Sequence, residues 1–211
     1  HDILVISDDI HADFIYKGHK HIPLASLSPE MADNTITCLA PSKTFNLAGL
    51  ATSIVVISNP KLRQRFANTL QNSGVHNALL GITALEAAYA KGGPWLDALL
   101  EYLEGNRDFM QNYLRRHLPM IKMHDLEGTY LAWLDCRGLD VDCQNPHDFF
   151  IRKARIAVND GQWFGPKGEG FVRFNLGCPR SLLAKGLERV KDAVKLELAR
   201  QDGKGLGKEF Q

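Results

Sequence analysis

Three polar groups follow or sit within apolar runs where side chains can do chemistry. Asp8 and Asp9 come directly after the run 3–7, Ile-Leu-Val-Ile-Ser. Lys43 comes after the run 35–39, in Ala40-Pro41-Ser42-Lys43-Thr44-Phe45-Asn46-Leu47-Ala48-Gly49-Leu50. Continuous β-rich runs mark strands covered on both faces, as in a parallel sheet. In open α/β sheets ligands sit beyond the carboxyl ends of such strands. A lysine among Ser, Thr, Asn and Gly that enters an apolar stretch is a candidate for partial burial. Burial depresses an amine pKa and frees the nitrogen for a Schiff base. The other reading of Lys43 is a solvated loop lysine. Arg173 lies in Gly170-Phe171-Val172-Arg173-Phe174-Asn175-Leu176. There it is either an edge residue with its head in water or a bidentate carboxylate anchor.

Taken together, the three groups suit one cofactor. Pyridoxal phosphate needs a lysine for its aldehyde and a carboxylate for its pyridinium nitrogen. It usually also needs an arginine for the amino-acid carboxylate. At an effective dielectric near 20, an ion pair at about 4 Å is worth about 4 kcal/mol, or ~3 pKa units. A carboxylate there would keep the ring nitrogen protonated near neutral pH.

The residues also carry a resemblance. Ser7-Asp8-Asp9-Ile10-His11-Ala12-Asp13 resembles the SDEIHxD segment of fold-type-I pyridoxal phosphate enzymes, in the cystathionine β-lyase-like branch of the class I/II aminotransferase family. Residues 42–50 resemble that branch's SKTFNxAGL lysine motif, and residues 172–175 its carboxylate-binding strand. The resemblance runs from Ile3 to about Leu198. It implies that Asp8 partners the pyridine nitrogen, that His11 lies near the ring hydroxyl, and that Lys43 forms the Schiff base. It further implies that Ser42 contacts the phosphate and Arg173 binds the substrate α-carboxylate. Eight residues after the lysine, aminotransferases often have a phosphate-binding arginine; here that position is Ala51. The departure fits the β-lyase branch. The implied activity is β-elimination from cystathionine or other cysteine S-conjugates, with transamination as the alternative and a non-catalytic regulatory domain as a second. The implied assembly is a homodimer. Family members are roughly twice as long, so this chain is expected to be their later part: the end of the large domain and the small C-terminal domain. Alone, it is expected to be inactive.

These residues need an α/β framework to hold them. Strands are expected at 3–7, 35–39 and 53–57, with helices at 26–34, 62–72, 77–90 and 94–118. The last of these has Trp95, Leu96, Leu99, Leu100, Leu103 and Phe109 on one stripe. After Pro119 the texture becomes α+β: strands at 129–134, 156–158 and 171–176, and helices at 146–155 and 181–200. The Gly-rich tail 203–208 reads as flexible. The fold class is a mixed, mostly parallel sheet at 1–107, followed by a smaller α+β domain at 108–211. Gly165–Gly170 reads as a turn. His19 and His21 read as surface residues for want of a third metal ligand. Trp163 and Phe164 either wall the site or pack a domain.

Composition narrows the partners. The net charge of +1 lacks the basic excess of a nucleic-acid protein. No apolar run approaches the ~18 residues of a membrane helix. Cys38, Cys136, Cys143 and Cys178 form no CxxC pair. With no visible signal peptide, they read as reduced, mostly buried thiols of a cytoplasmic protein.

Overall fold

The computed structural model describes residues 3–141 and 145–206; Cys143 lies outside them. The chain divides into two compact units. The first is residues 1–100 with 127–129, and the second is 101–126 with 130–211.

In the first unit, strand β1 (Val5–Asp8) leads through a turn and helix α1 (Pro29–Asp33) to β2 (Thr35–Leu39). Ser28 caps α1, its hydroxyl accepting from Met31 N at 3.1 Å, with Pro29 pre-set for the first helical position. The single-turn helix α2 (Pro41–Thr44) follows, then β3 (Ile54–Ile57). β1 pairs β2 in parallel, and β3 pairs β2 antiparallel. The sheet is therefore mixed, with β2 in the middle. Asn59 caps helix α3 (Pro60–Asn72) by accepting from Lys61 N and Leu62 N. Helix α4 (Leu79–Lys91) and the long helix α5 (Gly93–His117) complete the run.

In the second unit the sheet is antiparallel, in the order β4-β5-β7-β6. Its strands are β4 (Lys122–Met123), β5 (Leu131–Asp135), β6 (Asn159–Asp160) and β7 (Phe171–Asn175). Period-two alternation buries Ala132, Leu134, Val172 and Phe174 and leaves Trp133, Phe171 and Arg173 on the half-open face. Helix α6 (Pro146–Asp148) passes into a π-helical stretch, Phe149–Ala154. Helix α7 (Arg180–Leu206) buries Leu183, Leu187, Val190 and Val194 on one stripe. Each such side chain contributes about 1.5–3 kcal/mol by leaving water. A buried carboxylate, Glu197, ties α7 to the π-helical stretch through Lys153 at 3.1 Å.

Several expectations need correction. α5 buries Leu103, Asn106, Met110 and Leu114 on one stripe, whereas Trp95 is exposed, because at about 3.6 residues per turn it lies well to one side of that stripe. The strand expected at 156–158 forms at 159–160, where the chain meets β7. The helix expected at 146–155 changes hydrogen-bond pattern midway and stops at Arg155, which takes φ 56°. α7 continues through Leu206, into the tail expected to be flexible, because a packed helix propagates one bond at a time.

Candidate active site

In the first unit the register places Asp8 opposite Cys38, so β1 ends one residue short of the end of β2. Asp9 N then donates to Cys38 O at 2.9 Å and holds the turn against β2. The two adjacent aspartates differ in their engagements. Asp9 receives the Ser7 hydroxyl at 2.7 Å on one oxygen and lies 3.2 Å from His21 Nε2 on the other. Asp8 is exposed and accepts only a long bond, 3.4 Å, from Ile10 N. Its lone pairs are open to another N–H donor. Burial pushes the Cys38 thiol up, and the negative charges of Asp8 and Asp9 push it further. This strand end is thus electronegative. His11 is half-buried in the same turn, its ring 6.4 Å from that of Phe14.

Lys43 sits on α2, immediately beyond β2. Pro41 and Thr44 face inward and are buried, while Ser42 is half-buried and Lys43 exposed. The partial burial expected of Lys43 is therefore not observed. A single helical turn has one inward side, and Pro41 and Thr44 occupy it. Lys43 makes no hydrogen bond or ion pair with any described residue.

Sequence reasoning missed what locks this turn. The Thr44 hydroxyl, fully buried, donates to Asp13 Oδ2 at 2.7 Å. That bond joins the lysine turn to the aspartate turn. The adjacent ring of Phe45 packs edge-on against Tyr89, centroids 5.3 Å apart, and near Trp95. A Cβ at Gly92 would strike the Phe45 ring at 2.5 Å, which explains a glycine there. Ala51 adopts φ 45°, a left-handed conformation unusual for alanine.

In the second unit Arg173 occupies an interior strand, so the edge reading falls. It stands in register between Trp133 of β5 and Asn159 of β6. Its Nε and Nη2 donate to Asn159 Oδ1 at 3.1 and 3.0 Å. Phe164 lies under the guanidinium at 4.6 Å and meets Trp133 edge-on. Phe164 therefore covers the arginine, whereas Trp163 is exposed beside His147. No carboxylate among the described residues pairs with Arg173. The end of β7 is fastened by fully buried Asn106, whose Nδ2 donates to Leu176 O and Cys178 O at 2.9 and 2.8 Å. Asn106 Oδ1 accepts from Arg180 Nε at 2.6 Å.

A family model described as Aminotransferase class I and II matches residues 1–190. The chain belongs to the class I and II aminotransferase family. Within that family it is 42% identical over 195 residues to cystathionine beta-lyase PatB of Bacillus subtilis, covering 92% of this chain and 50% of that protein. A PLP-bound putative aminotransferase from Clostridium difficile superimposes with a TM-score of 0.87 at 42% identity, over 92% of this chain and 50% of that one. Cystalysin of Treponema denticola, whose structure contains pyridoxal 5'-phosphate, gives 0.85 at 39% identity, over 91% of this chain and 49% of that one. The chain spans about half the length of the relatives it matches. As a class I and II family member it has the α/β fold expected of it, and the sheet of the first unit is mixed, as expected.

The residues fit pyridoxal phosphate at two points. Lys43 offers an unengaged amine at the end of β2, and Asp8 offers a carboxylate with open lone pairs at the end of β1. The Ser42 hydroxyl makes no hydrogen bond with any described residue and stands one residue from the lysine, in keeping with a phosphate contact. These placements fit the donors the cofactor needs.

Proposed function

We propose that the whole polypeptide is a pyridoxal-phosphate-dependent carbon–sulfur β-lyase, which cleaves cystathionine or other cysteine S-conjugates to a thiol, pyruvate and ammonia. The observation that carries this reading is the placement of Asp8 and Lys43 at the ends of neighbouring parallel strands, the Lys43 amine unengaged and the Asp8 carboxylate bound only by a long contact from Ile10 N among the described residues. The likeness to the B. subtilis cystathionine beta-lyase supports the lyase branch.

The cofactor, when bound, supplies an aldehyde for imine formation and a π-system that accepts the electron pair left at Cα. Lys43 Nζ would hold the cofactor through its aldehyde, and once the substrate amine has taken its place the same nitrogen would take the Cα proton. Asp8 would hold the proton on the ring nitrogen. The sulfur would leave from Cβ with its bonding pair and take up a proton from Lys43 to become the thiol, and water would hydrolyse the remaining enamine to pyruvate and ammonia. His11 is assigned to the surroundings of the ring hydroxyl, Ser42 to the phosphate, and Arg173 to the substrate α-carboxylate.

The first unit is read as part of the cofactor-binding large domain and the second as the small C-terminal domain. β1 lies at the sheet edge with Ile6 exposed, which supports further strands in the complete large domain. A homodimer in the cytoplasm completes the reading. Transamination is the second reading, supported by the family description and by the same residues. Product analysis separates the two. A lyase releases pyruvate and thiol from cystathionine with no keto acid added, whereas a transaminase requires a keto-acid acceptor.

A further inference from the structure

Arg173 is half-buried and is held by neutral groups, Asn159 and Phe164. Across β5, β7 and β6 the register lines up Trp133, Arg173 and Asn159 on one face. Asn159 Oδ1 takes both donors of one guanidinium edge, Nε at 3.1 Å and Nη2 at 3.0 Å. Phe164 supports the plane from one side at 4.6 Å. Asn159 is itself held, because the next residue, Asp160, is nearly buried. The Asp160 carboxylate accepts from Gln162 N at 3.0 Å and from Asn145 Nδ2 at 2.6 Å. β6 therefore has little freedom to shift Asn159 away.

We propose that Asn159 is a positioning residue that sets the direction from which Arg173 takes a carboxylate. It fills the Nε/Nη2 edge and leaves the Nη1/Nη2 end open to the ligand. The inference rests on the reading of Arg173 as the carboxylate site and adds a residue to it. Two physical points carry it. A guanidinium is a planar fork with five N–H donors, so occupying one edge dictates which edge a carboxylate can use bidentately. An amide oxygen also orients the fork without neutralising it. A carboxylate at position 159 would do both and would close the site as an internal ion pair. An amide of this length, in this register, thus keeps the cation aligned and uncompensated.

The test uses the full-length protein with Asn159→Ala, Asn159→Asp and Arg173→Ala. Three quantities are measured for each: KM and kcat with a thioether amino acid, the inhibition constant of an unreactive carboxylate lacking the amino group, and the affinity for the decarboxylated amine. Asn159→Ala is expected to raise KM and the carboxylate inhibition constant about ten-fold, the loss of one charge-assisted hydrogen bond. It should leave kcat within about two-fold and amine affinity unchanged. Asn159→Asp is expected to weaken carboxylates more than Asn159→Ala does, although it is nearly isosteric and retains an acceptor. A merely structural role would lower the affinity for amine and carboxylate alike. If Arg173→Ala loses carboxylate affinity while both Asn159 variants bind like wild type, the role of Asn159 is refuted and the Arg173 site stands. If Arg173→Ala also binds carboxylates like wild type, the underlying site falls and the inference with it. Should Asn159→Ala fold poorly, the isosteric Asn159→Asp decides alone: wild-type carboxylate binding in that variant overturns the proposal.

Discussion

Replacing Asn106 by alanine should unfasten the end of the strand that carries Arg173. The side chain is fully buried and makes three bonds. Two are donated to Leu176 O and Cys178 O, and one is accepted from Arg180 Nε. The Leu176 carbonyl keeps its bond from Cys178 N at 2.9 Å and loses one of two donors, at about 0.5–1.5 kcal/mol. The Cys178 carbonyl and the Arg180 guanidinium are partly accessible and recover much of their loss from solvent, leaving about 0.5–1 kcal/mol each. With the cavity left by the amide, the expected destabilisation is about 2–4 kcal/mol. The assay is urea denaturation of the full-length protein, followed by a probe in the second unit. Tyr102→Phe is the control. It removes only the exposed hydroxyl that accepts from Arg180 N at 2.7 Å, and should cost under about 1 kcal/mol. Asn106→Asp should be no better than alanine, since it turns a carboxylate toward two carbonyl oxygens. A loss below about 1 kcal/mol for Asn106→Ala would refute the reasoning.

Further perturbations follow from the same geometry. Thr44→Val removes the bond to Asp13 and leaves a half-buried carboxylate oxygen short of a donor; it should cost about 1–2 kcal/mol by thermal denaturation and slow turnover more than Ser42→Ala does. Asp8→Asn should retain some cofactor and lose most turnover, whereas Asp9→Asn, which breaks bonds to Ser7 and His21, should act on the stability of the strand end; the opposite pattern in kcat would show that the register is wrong by one. The Arg137 guanidinium holds the Asp135 carboxyl down at about 2, from an ordinary value of 3.8. That depressed pKa contributes stability above pH 3.8, which is lost as pH falls toward 2; acid-unfolding curves of Arg137→Ala should lack this part of the slope. Burial pushes the Cys136 thiol up to about 12, so a thiol reagent at pH 8 should label it only after denaturant is added.

The two strand-end groups were legible because position and chemistry coincide there: Asp8 and Lys43 close apolar runs, and the motifs around them are contiguous. Contiguity also explains what was not legible. Asn159, Asn106 and the Thr44–Asp13 bond act across 14 to 74 residues of chain, and nothing local marks them. Asp13 lies inside the aspartate motif, and its buried partner was the only missing clue. The direction of β3 could not be read from Ile-Val-Val-Ile, which is equally apolar in either sense. β-branched Ile156 and Val158 argued for a strand, yet pairing begins at Asn159, where Asp160 can cap the next turn. The stripe on α5 failed at its margins: at about 3.6 residues per turn Trp95 and Phe109 fall to one side of the line through Leu103, Asn106, Met110 and Leu114.

Lys43 is the point on which the account turns. The direct measurement loads full-length wild type and Lys43→Ala with pyridoxal phosphate, records the visible absorbance, and assays pyruvate and thiol release from cystathionine without a keto acid. A visible Schiff-base band and stoichiometric pyruvate and thiol are expected from the wild type, with both absent from Lys43→Ala. Near-wild-type turnover in Lys43→Ala, or a wild type that releases no pyruvate and thiol until a keto acid is supplied, would contradict it.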